Sequence, residues 1–128
     1  MIVRKKSILI LDDSPLILEI AREALEREGF DVTLANDLRA LDRCLPDAQP
    51  NLIVIDVNMP EAFGDYVGQV LRAMRKLSAP IWLFSNLDDP GLEQRARDAG
   101  LDGFISKRSG IESFVRKVRE ILDERPAV

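Results

Sequence analysis

Five apolar runs alternating with five helix-patterned segments predict an α/β domain built on a five-stranded parallel sheet. The runs Ser7–Leu11, Asp31–Ala35, Leu52–Ile55, Ile81–Phe84 and Gly103–Ser106 have the length of strands, and Leu52–Ile55 is unbroken and β-branched, as in a strand covered on both faces. Between the runs, apolar residues return every three or four positions, the spacing of one helix face. A helix between successive strands makes each connection a crossover, and crossovers join parallel strands with a right-handed sense.

The first strand, Ser7–Leu11, ends in Asp12-Asp13, and Ser14-Pro15 then supplies a helix start with proline in its permitted first turn. Leu16, Ile17, Ile20, Ala21, Ala24 and Leu25 read as the inward face of that helix, and Gly29 stops it. After the weaker second strand, Asn36-Asp37 can cap a short helix with Leu38, Leu41 and Leu45 facing inward, which Pro46 and Pro50 are expected to end. Cys44, beside that face, reads as a small buried hydrophobe. The central strand closes on Asp56, and the chain turns at Met59-Pro60. Val67, Val70, Leu71, Met74 and Leu77 mark the third helix, and Pro80 opens the fourth strand, which ends at Ser85. Asp88–Ala99 offers only Leu92, Ala96 and Ala99 as an apolar stripe before Gly100, so the fourth helix is expected to be the least firmly packed. The fifth strand leads into Lys107, and Ser109 is expected to cap a last helix that buries Ile111, Phe114, Val115, Val118, Ile121 and Leu122.

A chain of 128 residues suits one domain, able to bury about two thirds of its unfolded surface. Residues 1–128 read as a single unit with a core over about 7–123, and Asp123–Val128 is the only candidate linker. Eighteen basic against 22 acidic side chains give a net charge of −4, and no like-charge run exceeds Arg4-Lys5-Lys6, which argues against direct binding to nucleic acid. The single cysteine excludes an internal disulfide and a thiolate metal site. No stretch is apolar enough for a signal peptide or a membrane span, so a cytoplasmic protein without a membrane partner is expected. The absence of histidine removes the commonest general base and the triads that use it, leaving carboxylates and a lysine to carry any chemistry.

Asp12, Asp13, Asp56, Ser85 and Lys107 stand at the carboxyl ends of strands one, three, four and five, the edge where parallel sheets bind ligands. Singly, each has a plain structural role as a helix cap, a turn residue or a solvated lysine. Together they require four apolar runs to end by chance in groups useful to one reaction. Three converging carboxylates repel one another, which raises their pKa values or demands a cation, and oxygen-only ligands in a small site favour Mg²⁺. Beside a divalent ion, a lysine and a hydroxyl, Asp56 suits nucleophilic attack on phosphorus, where most of the catalysis is alignment and neutralisation of the equatorial oxygens.

On Asp12-Asp13, the segment Asp56-Val57-Asn58-Met59-Pro60 with Gly64, Ser85 and Lys107, the chain resembles a receiver domain of a bacterial two-component response regulator over essentially its full length. The resemblance implies a flavodoxin-like, doubly wound (βα)5 fold with strand order 2-1-3-4-5. It implies Asp56 as the phosphoacceptor, Mg²⁺ held by Asp12, Asp13, Asp56 and the Asn58 carbonyl, and Ser85 and Lys107 on the phosphoryl oxygens. Phe104 matches the aromatic switch position, and with Ser85 would turn the fourth helix, fifth strand and fifth helix into the signalling surface. The implied partners are a sensor histidine kinase or histidine phosphotransfer protein as donor, and a downstream protein or output domain. Such a domain catalyses only its own phosphorylation and slow self-dephosphorylation.

Three departures from the family pattern carry expectations. Arg108 follows Lys107 where proline is usual, so a trans peptide and a rearranged loop are expected. Asn86 stands where a small residue is usual, and Leu87 replaces a commonly polar neighbour that could orient the hydrolytic water beside Asn58, so the phosphorylated form is expected to persist. The alternative reading is a pseudo-receiver that binds a partner without being phosphorylated, against which the complete acid set and Lys107 weigh. A metal-dependent phosphohydrolase is disfavoured, because Asn58 stands where a second carboxylate would serve as general acid.

Overall fold

The computed structural model describes residues 5–74, 77–86 and 89–123. In chain order these form β1 (Ser7–Leu11), α1 (Pro15–Arg27), β2 (Asp31–Ala35), α2 (Leu38–Ala48), β3 (Leu52–Asp56), α3 (Gly64–Met74), β4 (Ile81–Ser85), α4 (Asp89–Asp98), β5 (Gly103–Ser106) and α5 (Gly110–Asp123). All strand pairs are parallel, in the order β2-β1-β3-β4-β5 that the resemblance implies. Register brings the strand ends level: Leu11 pairs with Ile55, Asp56 with Phe84, and Ser85 with Ser106. The residues that follow β1, β3, β4 and β5 therefore emerge along one edge.

Side chains alternate across the sheet and so build two layers. Ile8, Ile10, Leu52, Val54, Phe84 and Ile105 pack with Leu18, Leu25, Phe114 and Val118 of α1 and α5. Leu9, Leu11, Ile53, Ile55 and Ile81 pack on the other face with Leu41, Val67 and Leu71 of α2 and α3. Cys44 is half-buried against this second layer. By contrast α4 adds only Leu92 and Ala96 to a small cluster with Val57 and Leu83, while α2 itself has a single buried residue, Leu41.

Several expected details differ. The buried stripe of α1 is Leu18, Ala21 and Leu25, whereas Leu16 and Ile20 are exposed. At 100° per residue those two lie beyond the stripe, and their apolar character is not spent on the core. Asp37 caps α2 through its Oδ1, which accepts from the Ala40 amide at 2.7 Å, but the helix runs through Pro46 to Ala48 and ends where Gln49 takes a left-handed conformation. A proline in the last turn costs a single intrahelical hydrogen bond, too little to stop the helix there. Leu77 lies past the end of α3, though it still packs on the same layer.

Every peptide bond among the described residues is trans, that between Lys107 and Arg108 included. A short 3₁₀ turn over Lys107–Ser109 takes up the chain there, with Ser106 Oγ accepting from the Arg108 amide at 3.1 Å. The expected cap residue Ser109 ends that turn, and α5 starts at the next residue. At the opposite edge of the sheet Arg72 donates to the Leu77 and Ala79 carbonyls, each at 2.8 Å, and to Asp102, whose Oδ2 also accepts from the Ile81 amide. These bonds fix the approach to β4. Among the described residues, no helix is long and apolar enough to cross a membrane.

Candidate functional site

Asp12, Asp56, Ser85 and Lys107 stand at the carboxyl ends of four strands that carry the core. Asp12 follows β1 and is wholly buried; its Oδ1 accepts from the Ser14 amide at 3.0 Å, while Ser14 Oγ accepts from the Ile17 amide and starts α1. Asp12 Oδ2 lies 2.6 Å from Lys107 Nζ in a buried ion pair. The buried Asp12 carboxylate thus shares a single ammonium with Asp56, and the site suits a further cation.

Asp56 ends β3 only 4 % exposed, and its Oδ1 accepts from the Asn58 amide at 3.3 Å and from Lys107 Nζ at 3.4 Å. Burial pushes the Asp56 carboxyl above its ordinary value and the charge of Asp12 pushes it the same way, with Lys107 pulling against both. Asp13 is exposed, yet one oxygen from each of Asp12, Asp13 and Asp56 lies within 4.8 Å of the other two. This acidic cluster, open on the Asp13 side, fits a small divalent ion that keeps several of its waters.

Lys107 Nζ sits over the Phe84 ring, 5.1 Å from its centre, and that ring packs on Phe114 at 4.8 Å. The ammonium is thereby held from below while its hydrogens face the two carboxylates. Ser85, buried at the end of β4, follows Phe84, the residue that pairs with Asp56. Phe104 is half-buried in β5 against the small cluster under α4. Leu87, on which the expected persistence of a phosphorylated form depends, lies outside the described residues.

The loop after Asp56 closes back on itself. Asn58 and Phe63 form a bridge, the Gly64 amide donates to the Val57 carbonyl at 2.9 Å, and a β-carbon on Gly64 would run into the Asp56 carbonyl oxygen. Only glycine allows α3 to begin against the backbone of the acidic residue itself. Two features near the site have no signal of their own in the sequence. One is an ion pair from Asp65 on α3 to Arg95 on α4, thirty positions apart, for which no local pattern exists. The other is the exposure of Leu16, Ile20 and Ile111, whose helical spacing is that of core residues.

Known proteins agree with this arrangement. The family model for the response regulator receiver domain matches residues 8–119. The transcriptional regulatory protein KdpE of Mycobacterium tuberculosis is 30% identical over 120 residues, which cover 94% of this chain and 52% of KdpE. The chain thus spans about half the length of that relative. The polar-differentiation response regulator DivK of Brucella anthropi is 28% identical, with 93% of this chain and 98% of DivK covered. Among solved structures, chemotaxis response regulator CheY4 of Vibrio cholerae superposes with a TM-score of 0.82 at 26% identity, covering 93% of this chain and all of that one. A two-component response regulator from Clostridium difficile has the same fold, with a TM-score of 0.85 at 20% identity over 97% of this chain and 100% of its own. With the family matched from β1 into α5, this chain belongs to the response regulator receiver domains and is a signalling domain of the two-component type.

Proposed function

We propose that Asp56 accepts a phosphoryl group from a phosphohistidine on a sensor kinase or phosphotransfer protein. The observation that carries this reading is the convergence of three carboxylates and one lysine at a single sheet edge, with Asp12 and Asp56 both buried. An Asp56 carboxylate oxygen forms the new P–O bond as the P–N bond to the donor imidazole breaks, and the electron pair leaves with the ring. Asp12, Asp13, Asp56 and the Asn58 carbonyl would hold Mg²⁺, which supplies neutralisation of the negative charge on the transferring group. Lys107 needs only a small swing from its pairing with Asp12 to reach a phosphoryl oxygen on Asp56, and Ser85 supplies a hydroxyl from the neighbouring strand.

A donor reaches Asp56 over the rim between α1 and α5. There Ile17, Ile20, Ile111 and Phe114 line an apolar cavity of about 300 Å³, with Lys107 in its wall. That surface suits a partner helix bearing the phosphohistidine. On the far side, Phe104 packs beneath Leu92 and Ala96, so a hydroxyl drawn toward the phosphoryl group would shift the leading turn of α4 and let Phe104 move inward. The signalling surface on this reading is α4, β5 and α5. Residues 1–128 act as one receiver unit in the cytoplasm, read by a downstream protein or output domain.

Beryllofluoride, a mimic of the aspartyl phosphate, tests the site as built. Calorimetric titration with Mg²⁺ present should show stoichiometric binding by the wild type and none by Asp56→Asn. Binding that survives in Asp56→Asn, or a wild type that takes neither Mg²⁺ nor the mimic, would leave the pseudo-receiver reading in place.

A further inference from the structure

On the phosphoacceptor reading, α4 must shift relative to the rest of the domain, and what holds it at rest decides how readily it shifts. Its apolar anchors are few, Leu92 and Ala96. Its Arg97–Glu93 pair lies within the helix, mostly exposed, and ties it to nothing else. Arg95 is different. Its Nη2 lies 2.8 Å from Asp65 Oδ1 and its Nε 3.2 Å from Oδ2, a two-pronged contact across to the first turn of α3. Both side chains are more than two thirds buried, and the guanidinium also lies over the Phe63 ring at 5.2 Å. Isolated surface ion pairs contribute little, but a bidentate, partly desolvated and stacked arginine belongs to the strong end of the range.

The other end of this contact is fixed to the chemistry. Asp65 follows Gly64, which packs against the Asp56 carbonyl and donates to Val57, and Phe63 bridges to Asn58. We propose that Arg95, gripping Asp65 and Phe63, is a latch that holds α4 in its unphosphorylated position against the loop of the phosphoacceptor. Displacing α4 then requires this contact to loosen, so part of the free energy of phosphoryl binding is spent on it. Arg95 touches no reacting atom; it is a positioning residue that sets the balance between resting and switched forms.

The test measures beryllofluoride affinity, with Mg²⁺ at saturation, in the wild type, Asp65→Asn, Arg95→Gln, Arg95→Lys and the double variant Asp65→Asn/Arg95→Gln. A latch that favours the resting form predicts that each neutralised single variant binds the mimic about three- to tenfold more tightly, although its mimic-free form melts at a lower temperature. The double variant should gain no more than either single one, because both remove the same contact. Arg95→Lys, which keeps the charge and stem but loses the fork, should fall between, and it keeps the test open if Arg95→Gln folds poorly. Unchanged or weaker binding in the single variants, or gains that add in the double, would overturn the latch while leaving the phosphoacceptor reading intact. A wild type that binds no mimic would overturn both.

Discussion

Asp56 carries its charge against the preference of its surroundings. Burial and Asp12 raise its carboxyl above the unfolded value, so the folded state binds that proton more tightly than the unfolded chain does. Stability is therefore lost as pH rises from the ordinary carboxylate range through the raised folded value. Asp56→Asn removes the charge without removing the shape, and the mimic-free, metal-free protein should melt higher by roughly 3–6 °C if about 1 kcal/mol is recovered. A lower melting temperature would mean that the pairing with Lys107 outweighs the repulsion from Asp12. Lys107→Ala should act in the opposite sense, since it strips the cation from a wholly buried Asp12, and a loss of about 3 kcal/mol in denaturant unfolding is expected. Gly64→Ala drives a methyl group into the Asp56 carbonyl; it should cost ~2 kcal/mol or more and also slow phosphorylation, which a change remote from the acceptor loop would not do.

At the scale of elements, the strands and their parallel sense were legible because each is a short apolar run and every connection is a helix, while their order came from the resemblance. The acidic cluster was legible for the same reason, as Asp12, Asp56, Ser85 and Lys107 each sit where a run stops. Other features were not. Periodicity tells that α1 is amphipathic but not that Leu16 and Ile20 serve a surface, and Pro46 looks like a stop until its place in a last turn is known. The grip of Arg95 on Asp65 joins two helices with no shared sequence pattern. The few apolar residues of α4, by contrast, are legible, and they have consequences. Leu92, on the inner face of that helix, is fully buried, so Leu92→Ala should cost about 2–4 kcal/mol and raise amide exchange first within α4. Beryllofluoride should alter exchange in α4, β5 and α5 more than in α1. An equal or reversed pattern would count against that face as the signalling surface.

For the whole molecule, the site and the fold are one device, because a sheet that levels its strand ends brings like charges together and so creates a need for a cation. Mg²⁺ should stabilise the wild type in proportion to its saturation, by about 2.7 kcal/mol at a hundred times its dissociation constant, and should stabilise Asp56→Asn much less. The proposed function, however, rests on transfer to one carboxylate. The most direct measurement is intact mass after exposure to acetyl phosphate and Mg²⁺, followed by peptide mapping. A single phosphoryl group on Asp56, absent without Mg²⁺ and absent in Asp56→Asn, is the predicted result; phosphate on any other residue, or none at all on a protein that binds Mg²⁺, would contradict it.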